Sequence, residues 1–433
     1  MSAVGTGSGT GPGAVRLAGA GIGIVGVTFG MARYGYGLLL PDIRRDYGLG
    51  PGALGAIGTG AYVAYLAAAA LTGIFAGRLG PRRTALVAGL LAALGMTVAG
   101  LSRSPGALAA GILIGGAGAG FAFPPFADAA RAIAPAARGR VLAAINCGTG
   151  YGVAVSAPIA IVAGSAWRGA WLAFAALALL ATAWAVHVLP RGRLERSGDD
   201  GDITAPAGTW RALRCRRAAP MLAGAVLIGL GSSAYWTFAV EHLVHAGALS
   251  EAASRSFLGL VGVASVLATA AGDLVGWLGA RRAYVVATLA ESAGIALLAL
   301  APGSLTAAVA SAVLFGAAYN AVVAIQAIWS AHLYAGRPSL GLSAAMSANG
   351  LGLLLGPLGA GLLAVPLGLT AVLAAGAVVV AAAGAFAPRE AILPAEGRGD
   401  QGAAGSPEPG IACGSTLGRA STSSSARRKA PAR

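Results

Sequence analysis

GIFAGRLGPRR, residues 73–83, returns as GDLVGWLGARR at residues 272–282. Six of the eleven positions agree: Gly73/Gly272, Gly77/Gly276, Leu79/Leu278, Gly80/Gly279, Arg82/Arg281 and Arg83/Arg282. The same offset of 199 residues sets Ala157-Pro158 against Gly356-Pro357, and Tyr36 against Tyr235. Anchors so far apart that share one offset are poorly explained by apolar bias alone. They mark a duplicated chain, with each copy several helices long. Two parallel repeats of this kind are a transporter architecture, with a solute site between them near the middle of the membrane.

The composition around the repeat decides its setting. Of 433 residues, 57% are hydrophobic and only 10% are charged, against about 25% charged in soluble domains. A spanning helix needs about 20 mostly apolar residues. Twelve stretches qualify: 17–40, 52–76, 84–102, 106–127, 141–163, 168–189, 219–240, 256–278, 283–301, 304–328, 341–364 and 366–387. The fold expected is an all-α membrane protein with twelve transmembrane helices in two pseudo-symmetric six-helix bundles. The 69 glycines fall within the apolar runs, where small residues let helices approach closely. The boundaries expected are a polar segment at 1–16, one bundle at 17–189, a polar linker at 190–218, a second bundle at 219–387 and a disordered basic tail at 388–433. The first apolar run is too long for a signal h-region and is expected to stay as a membrane helix.

Net charge is +15, yet nucleic-acid binding is disfavoured, because the arginines sit in short loops, the linker and the tail. With the N-terminus inside, the cytoplasmic loops hold Arg78, Arg82 and Arg83, then Arg131, Arg138 and Arg140, then seven linker arginines, then Arg281, Arg282 and Arg337. The opposite loops hold Arg44, Arg45, Arg103, Arg168 and Arg255. This bias places both termini in the cytoplasm, as for a multi-pass protein of the inner membrane. Cys147, Cys215 and Cys413 have no paired spacing, so neither a disulfide framework nor a metal site is expected. Four histidines and one lysine, scattered along the chain, offer no catalytic cluster, and no ATP-binding loop is present. No cofactor is expected. The partners expected are a small-molecule solute and the lipid bilayer, with the chain acting as a monomer.

With these motifs the chain resembles the major facilitator superfamily over about residues 17–387. That family has a Gly-rich basic loop between its second and third helices, matched here by Gly73, Gly80, Arg82 and Arg83. Its usual acid is replaced by Gly77, and Gly276 repeats the departure, so the family's acid-based cytoplasmic latch is in doubt. The fourth helix has AAGILIGGAGAG at 109–120 without the arginine of the drug antiporters. The antiporter pattern appears in fuller form in the eleventh helix, Gly352 to Gly356-Pro357, than in the fifth, where Val153 precedes Ala157-Pro158. The stretches MARYGYGLLLPDIRRDYGLG (31–50) and AIWSAHLYAGRPSLG (327–341) are similar to a bacterial branch, the YbfB-type transporters. The resemblance implies a secondary transporter working by alternating access, driven by a proton or solute gradient, with export favoured over uptake. The alternatives are an uptake carrier for a small organic anion and a transporter-like sensor without flux, a membrane enzyme being disfavoured.

Among single residues Arg33 stands out, because an ionisable group inside a membrane helix costs at least ~2.5 kcal/mol on insertion scales. Helical spacing sets Phe29, Arg33 and Tyr36 on one face, where a guanidinium can fork onto an anion. The bland reading is that Arg33 snorkels outward past Pro41. Glu291 is the acid deepest in a membrane segment. It is either a proton carrier or a neutral acid bonded to a backbone carbonyl. Asp42, Asp46 and Glu241 fall near helix ends, where solvation is expected, and Asp128 is placed to pair with Arg131. Asn146, Tyr235, Trp236, Tyr319, Asn320 and Asn349 lie on helices that face the central cavity in the family. Each is a candidate substrate contact or plain interhelical glue. Phe123-Pro124-Pro125-Phe126 is expected to break the fourth helix, and Gly356-Pro357 to bend the eleventh.

Overall fold

A computed structural model describes residues 12–191, 216–246, 249–334 and 338–389. Most of the expected linker and tail lies outside these residues, as do Cys215, Cys413 and Arg337. Among the described residues there is no strand. Eleven helical runs are long and apolar enough to cross a membrane.

The runs are α1 (Pro12–Tyr47), α3 (Pro81–Gly100), α4 (Pro105–Ala132), α5 (Arg140–Ala163), α6 (Trp167–Val188), α8 (Ala252–Leu278) and α9 (Ala280–Leu300). With them stand α2 (Pro51–Leu79), α7 (Ala219–Ala246), α10 (Leu305–Leu333) and α11 (Pro338–Ala383). Their starts are written in the sequence. Prolines at 51, 81, 105 and 338 open four of them, at a position whose N–H has no helical partner. Ser104, Ser250 and Ser304 cap α4, the helix leading into α8, and α10, each accepting from the backbone N–H three residues on.

Two joints carry the sequence repeat into the backbone. Gly80, between α2 and α3, has φ 75° and ψ 166°. Gly279, between α8 and α9, has φ 76° and ψ 152°. Only glycine adopts these angles without strain, so this pair of the duplicated motif makes the same turn twice. Gly276 and Gly272 have open space beside them.

The structure departs from the expected helices in several places. The first helix extends to Tyr47 rather than ending near residue 40, because Pro41 is accommodated inside it. Near its middle it is not α-helical: Gly26–Met31 is a π-helix and residues 32–34 form a turn. In α4 the helix ends at Gly120, just before the Phe123-Pro124-Pro125-Phe126 stretch, and restarts at Pro124. α8 passes through a 3₁₀ stretch at Ser265–Ala270. The expected eleventh and twelfth helices form one 46-residue run, interrupted at Gly368 (φ 78°, ψ 159°). At Pro357 the backbone angles stay helical.

The two halves meet along α1 with α7, α2 with α11, and α5 with α8. Backbone lies almost on backbone. A Cβ at Gly55 would collide with the Pro357 carbonyl, and one at Gly150 with the Ser265 hydroxyl. At Pro357 the contact enters the helix itself: Thr59 Oγ1 donates to the Leu354 carbonyl (3.1 Å) and accepts from the Leu358 N–H (3.0 Å). A hydroxyl from one half thus takes the place of a helical hydrogen bond in the other.

Candidate functional site

The irregular turn of α1 positions the site. Gly26 and Gly30 press against Gly148 and Gly152 of α5 so closely that side chains would not fit. There the backbone pairs five residues apart, Ala32 N–H to Val27 O (3.0 Å) and Tyr34 N–H to Phe29 O (3.1 Å). Such π-turns recur at functional sites. Arg33 sits in this turn, about 20 Å along the helix from Tyr47.

Arg33 is 6% exposed and does not snorkel. Its guanidinium lies 4.0 Å from the Tyr62 ring centre, 4.5 Å from Tyr65, 5.4 Å from Phe29 and 5.5 Å from Tyr34. These rings give the cation a π environment. They leave its Nε and Nη2 without hydrogen-bond partners. A buried unsatisfied donor costs about 1–3 kcal/mol, more when charged.

Arg33, Tyr34, Tyr36 and Tyr62 share a cavity with Trp236 and Thr237 of the other half. Its volume of about 10 Å³ suits a single water. Trp236 stacks on Tyr34 across the interface, with ring centres 4.2 Å apart, and meets Tyr319 edge-on at 5.6 Å. The Trp236 indole N–H is buried and unpartnered.

The other candidates separate from this centre. Tyr36 lines the cavity, but its hydroxyl already donates to the Leu54 carbonyl at 2.9 Å. Tyr235 is stacked on Phe315 at 3.7 Å and shares a hydrogen bond with Ser311, within its own half. Asn320 donates to the Gly316 carbonyl of its own helix. Asn349 is buried with its amide nitrogen unpartnered. Asn146 is exposed, one turn along α5 from the Gly150 contact.

Glu291 is fully buried in α9. Its partner is the Ser232 hydroxyl of α7, not a backbone carbonyl. That hydroxyl also lies 2.6 Å from the Ile228 carbonyl. A hydroxyl has one hydrogen to donate. Both contacts are therefore made together when the carboxyl carries a proton.

Two acids expected in solvent are buried instead. Asp42 (4% exposed) holds Arg255 (6% exposed) through both carboxylate oxygens, at 2.9 and 3.1 Å. Glu241 pairs with Arg44 and, at 2.9 Å, with His245. Asp42 and Arg44 belong to α1, whereas Glu241 and Arg255 belong to α7 and α8. Both arginine–carboxylate pairs therefore tie the halves together at one face. Asp46 remains on the surface beside Arg168, and Asp128 lies 3.9 Å from Arg131 as expected.

Residues 22–278 match the family model of the Major Facilitator Superfamily. The chain belongs to that superfamily. No curated protein sequence matches the chain. Among solved structures, a point mutant of the nucleoside transporter NupG superposes with a TM-score of 0.72 at 14% identity, over 86% of this chain and 98% of that one. A bacterial homologue of the human lysosomal transporter Spinster, inward-facing and unoccupied, gives 0.65 at 15% identity, over 87% and 95%. Membership of the superfamily accounts for the paired halves and makes the chain a multi-pass membrane transporter. Sequence reading missed Tyr34, Tyr62 and Tyr65. The pair Tyr62 and Tyr65, one turn apart in an apolar helix beside an intramembrane arginine, was the available signal.

Proposed function

We propose that this superfamily member is a secondary carrier of a small organic anion, working by alternating access. The carrying observation is Arg33, a buried cation between the halves with two donors unsatisfied. An anion entering from either side supplies the missing acceptors, and its binding energy falls on the state in which the halves enclose it.

The run Gly341–Phe386 is counted as two crossings, because 46 helical residues span about 70 Å against a hydrocarbon core of ~30 Å. With twelve crossings both termini lie on one side, which the arginine bias assigns to the cytoplasm of an inner-membrane protein. The Asp42–Arg255 and Arg44–Glu241 pairs then close the outer face. Glu291 is the proton-coupling candidate, held by Ser232 inside the second bundle. The substrate contacts proposed are Arg33, Trp236, Tyr319 and Asn349. Tyr36 and Tyr235, whose hydroxyls are already engaged, act in packing, and Asn320, with its amide nitrogen donating to Gly316, stays a candidate contact.

The test compares small acids inside cells and in the medium, with wild-type protein or Arg33→Ala overproduced at equal levels. An acid depleted inside and enriched outside with wild type alone supports export, the expected result. Accumulation inside supports the uptake alternative. Identical profiles for wild type, variant and empty cells refute the reading.

A further inference from the structure

The aromatic stack beside Arg33 points to the body of the solute, and this step rests on the carrier reading above. Tyr34 belongs to α1 and Trp236 to α7, so their contact is between halves that must separate. In the closed interface each ring covers the face of the other, 4.2 Å apart and tilted by 31°. When the halves part, both faces are uncovered next to the cavity lined by the buried Arg33 guanidinium. A planar π ring restores what each face loses, because offset or tilted aromatic contacts carry a quadrupole term that an aliphatic ring does not supply. The guanidinium carbon lies 5.5 Å from the Tyr34 ring centre. That is the reach of a carboxylate attached to, or one carbon from, a ring resting on that face.

The polar groups around the cavity agree. Arg33 Nε and Nη2 and the Trp236 Nε1 are donors without partners. The Tyr36 hydroxyl, which also lines the cavity, is engaged with the Leu54 carbonyl. These open donors call for a head group that accepts, and an ionised carboxylate is acceptor-only. We infer that the solute class is aromatic monocarboxylates, with the carboxylate on Arg33 and Trp236 Nε1 and the ring inserted between Tyr34 and Trp236. Trp236 is then a specificity-determining residue with two separable roles: its N–H reads the anion and its ring reads the arene.

The test is direct binding of radiolabelled benzoate to the purified protein in detergent, with cyclohexanecarboxylate, benzamide and benzylamine as competitors. Benzoate is expected to bind about two- to tenfold more tightly than cyclohexanecarboxylate, and the neutral amide and the cation are expected not to compete. Arg33→Lys keeps the charge but loses the fork and should weaken benzoate about tenfold or more. Trp236→Phe should weaken benzoate while keeping the benzoate-to-cyclohexanecarboxylate ratio. Trp236→Leu should abolish that ratio. Circular dichroism and gel filtration matching wild type establish that each variant is folded. Equal binding of both acids overturns the aromatic assignment, and competition by benzamide or benzylamine as strong as benzoate overturns the anion assignment. If none of the four binds while the wild-type protein still exchanges another solute across vesicles, the solute class falls and the carrier reading stands. If no solute is exchanged at all, both fall.

Discussion

Replacing Asp42 by asparagine takes from Arg255 its ion pair across the face where α1 meets α7 and α8. The arginine is 6% exposed and loses two charge-assisted bonds of 2.9 and 3.1 Å. Arg45, 3.6 Å from Asp42 in the wild type, adds a like charge nearby. Breaking a buried pair by removing one partner costs about 3–5 kcal/mol. Water reaches the groups once the face opens, so the cost falls on the closed form. Taking the lower figure, the closed-to-open ratio drops about 100-fold, at 1.4 kcal/mol per tenfold. Removing both charges, in Asp42→Asn with Arg255→Gln, should return most of the closed population. Electron–electron distance measurements on spin labels at Arg103→Cys and Gly303→Cys, in lipid nanodiscs, read that face directly. The native cysteines are replaced beforehand. A long-distance population should dominate in Asp42→Asn and recede in the double variant. Unchanged distances in the single variant would refute the argument that this pair holds the face shut.

Other consequences follow from the same contacts. Thr59→Val keeps the shape but removes the hydroxyl that bridges Leu354 and Leu358, so the closed face should weaken by about 1–3 kcal/mol, read from the same labels. Gly80→Ala and Gly279→Ala place a Cβ at φ near 75° and should each lower the thermal midpoint, with a cost of about 1–2 kcal/mol; an unchanged midpoint would deny that the repeated glycines are conformational. Tyr235→Phe loses its bond to Ser311 and should destabilise by about 1 kcal/mol without changing solute affinity, whereas a change in affinity alone would return Tyr235 to the binding site. Glu291→Gln should leave solute exchange intact and abolish uphill flux driven by a pH gradient. Retained uphill flux would remove Glu291 from coupling.

The duplication, the helical class and the charge carried inside the first membrane helix were legible because each rests on local signals: a repeated glycine turn, apolar runs, an arginine inside one of them. The π-turn that presents Arg33 was not, since it arises from Gly26 and Gly30 docking on Gly148 and Gly152, more than a hundred residues away in sequence. Asp42 read as a solvated helix-end acid and Arg255 as a loop arginine because nothing near either residue shows that the other will meet it. The separation of Tyr235 from Trp236 is a matter of helix facing. Adjacent residues point to different neighbours, one into its own bundle and one across the interface, and an apolar segment with weak periodicity does not reveal which. Glu291 was located by its burial, while its hydroxyl partner on α7 depended on the packing of two helices.

The most direct test of the account is to fasten the two halves together where the ion pair now does so reversibly. Asp42→Cys with Arg255→Cys, in a background free of other cysteines, can be joined by a short, cleavable bifunctional thiol reagent and the purified protein placed in liposomes. The account predicts that the joined protein stops solute exchange and that cleaving the link restores it. Exchange continuing at the unjoined rate after complete crosslinking would contradict alternating access through this interface.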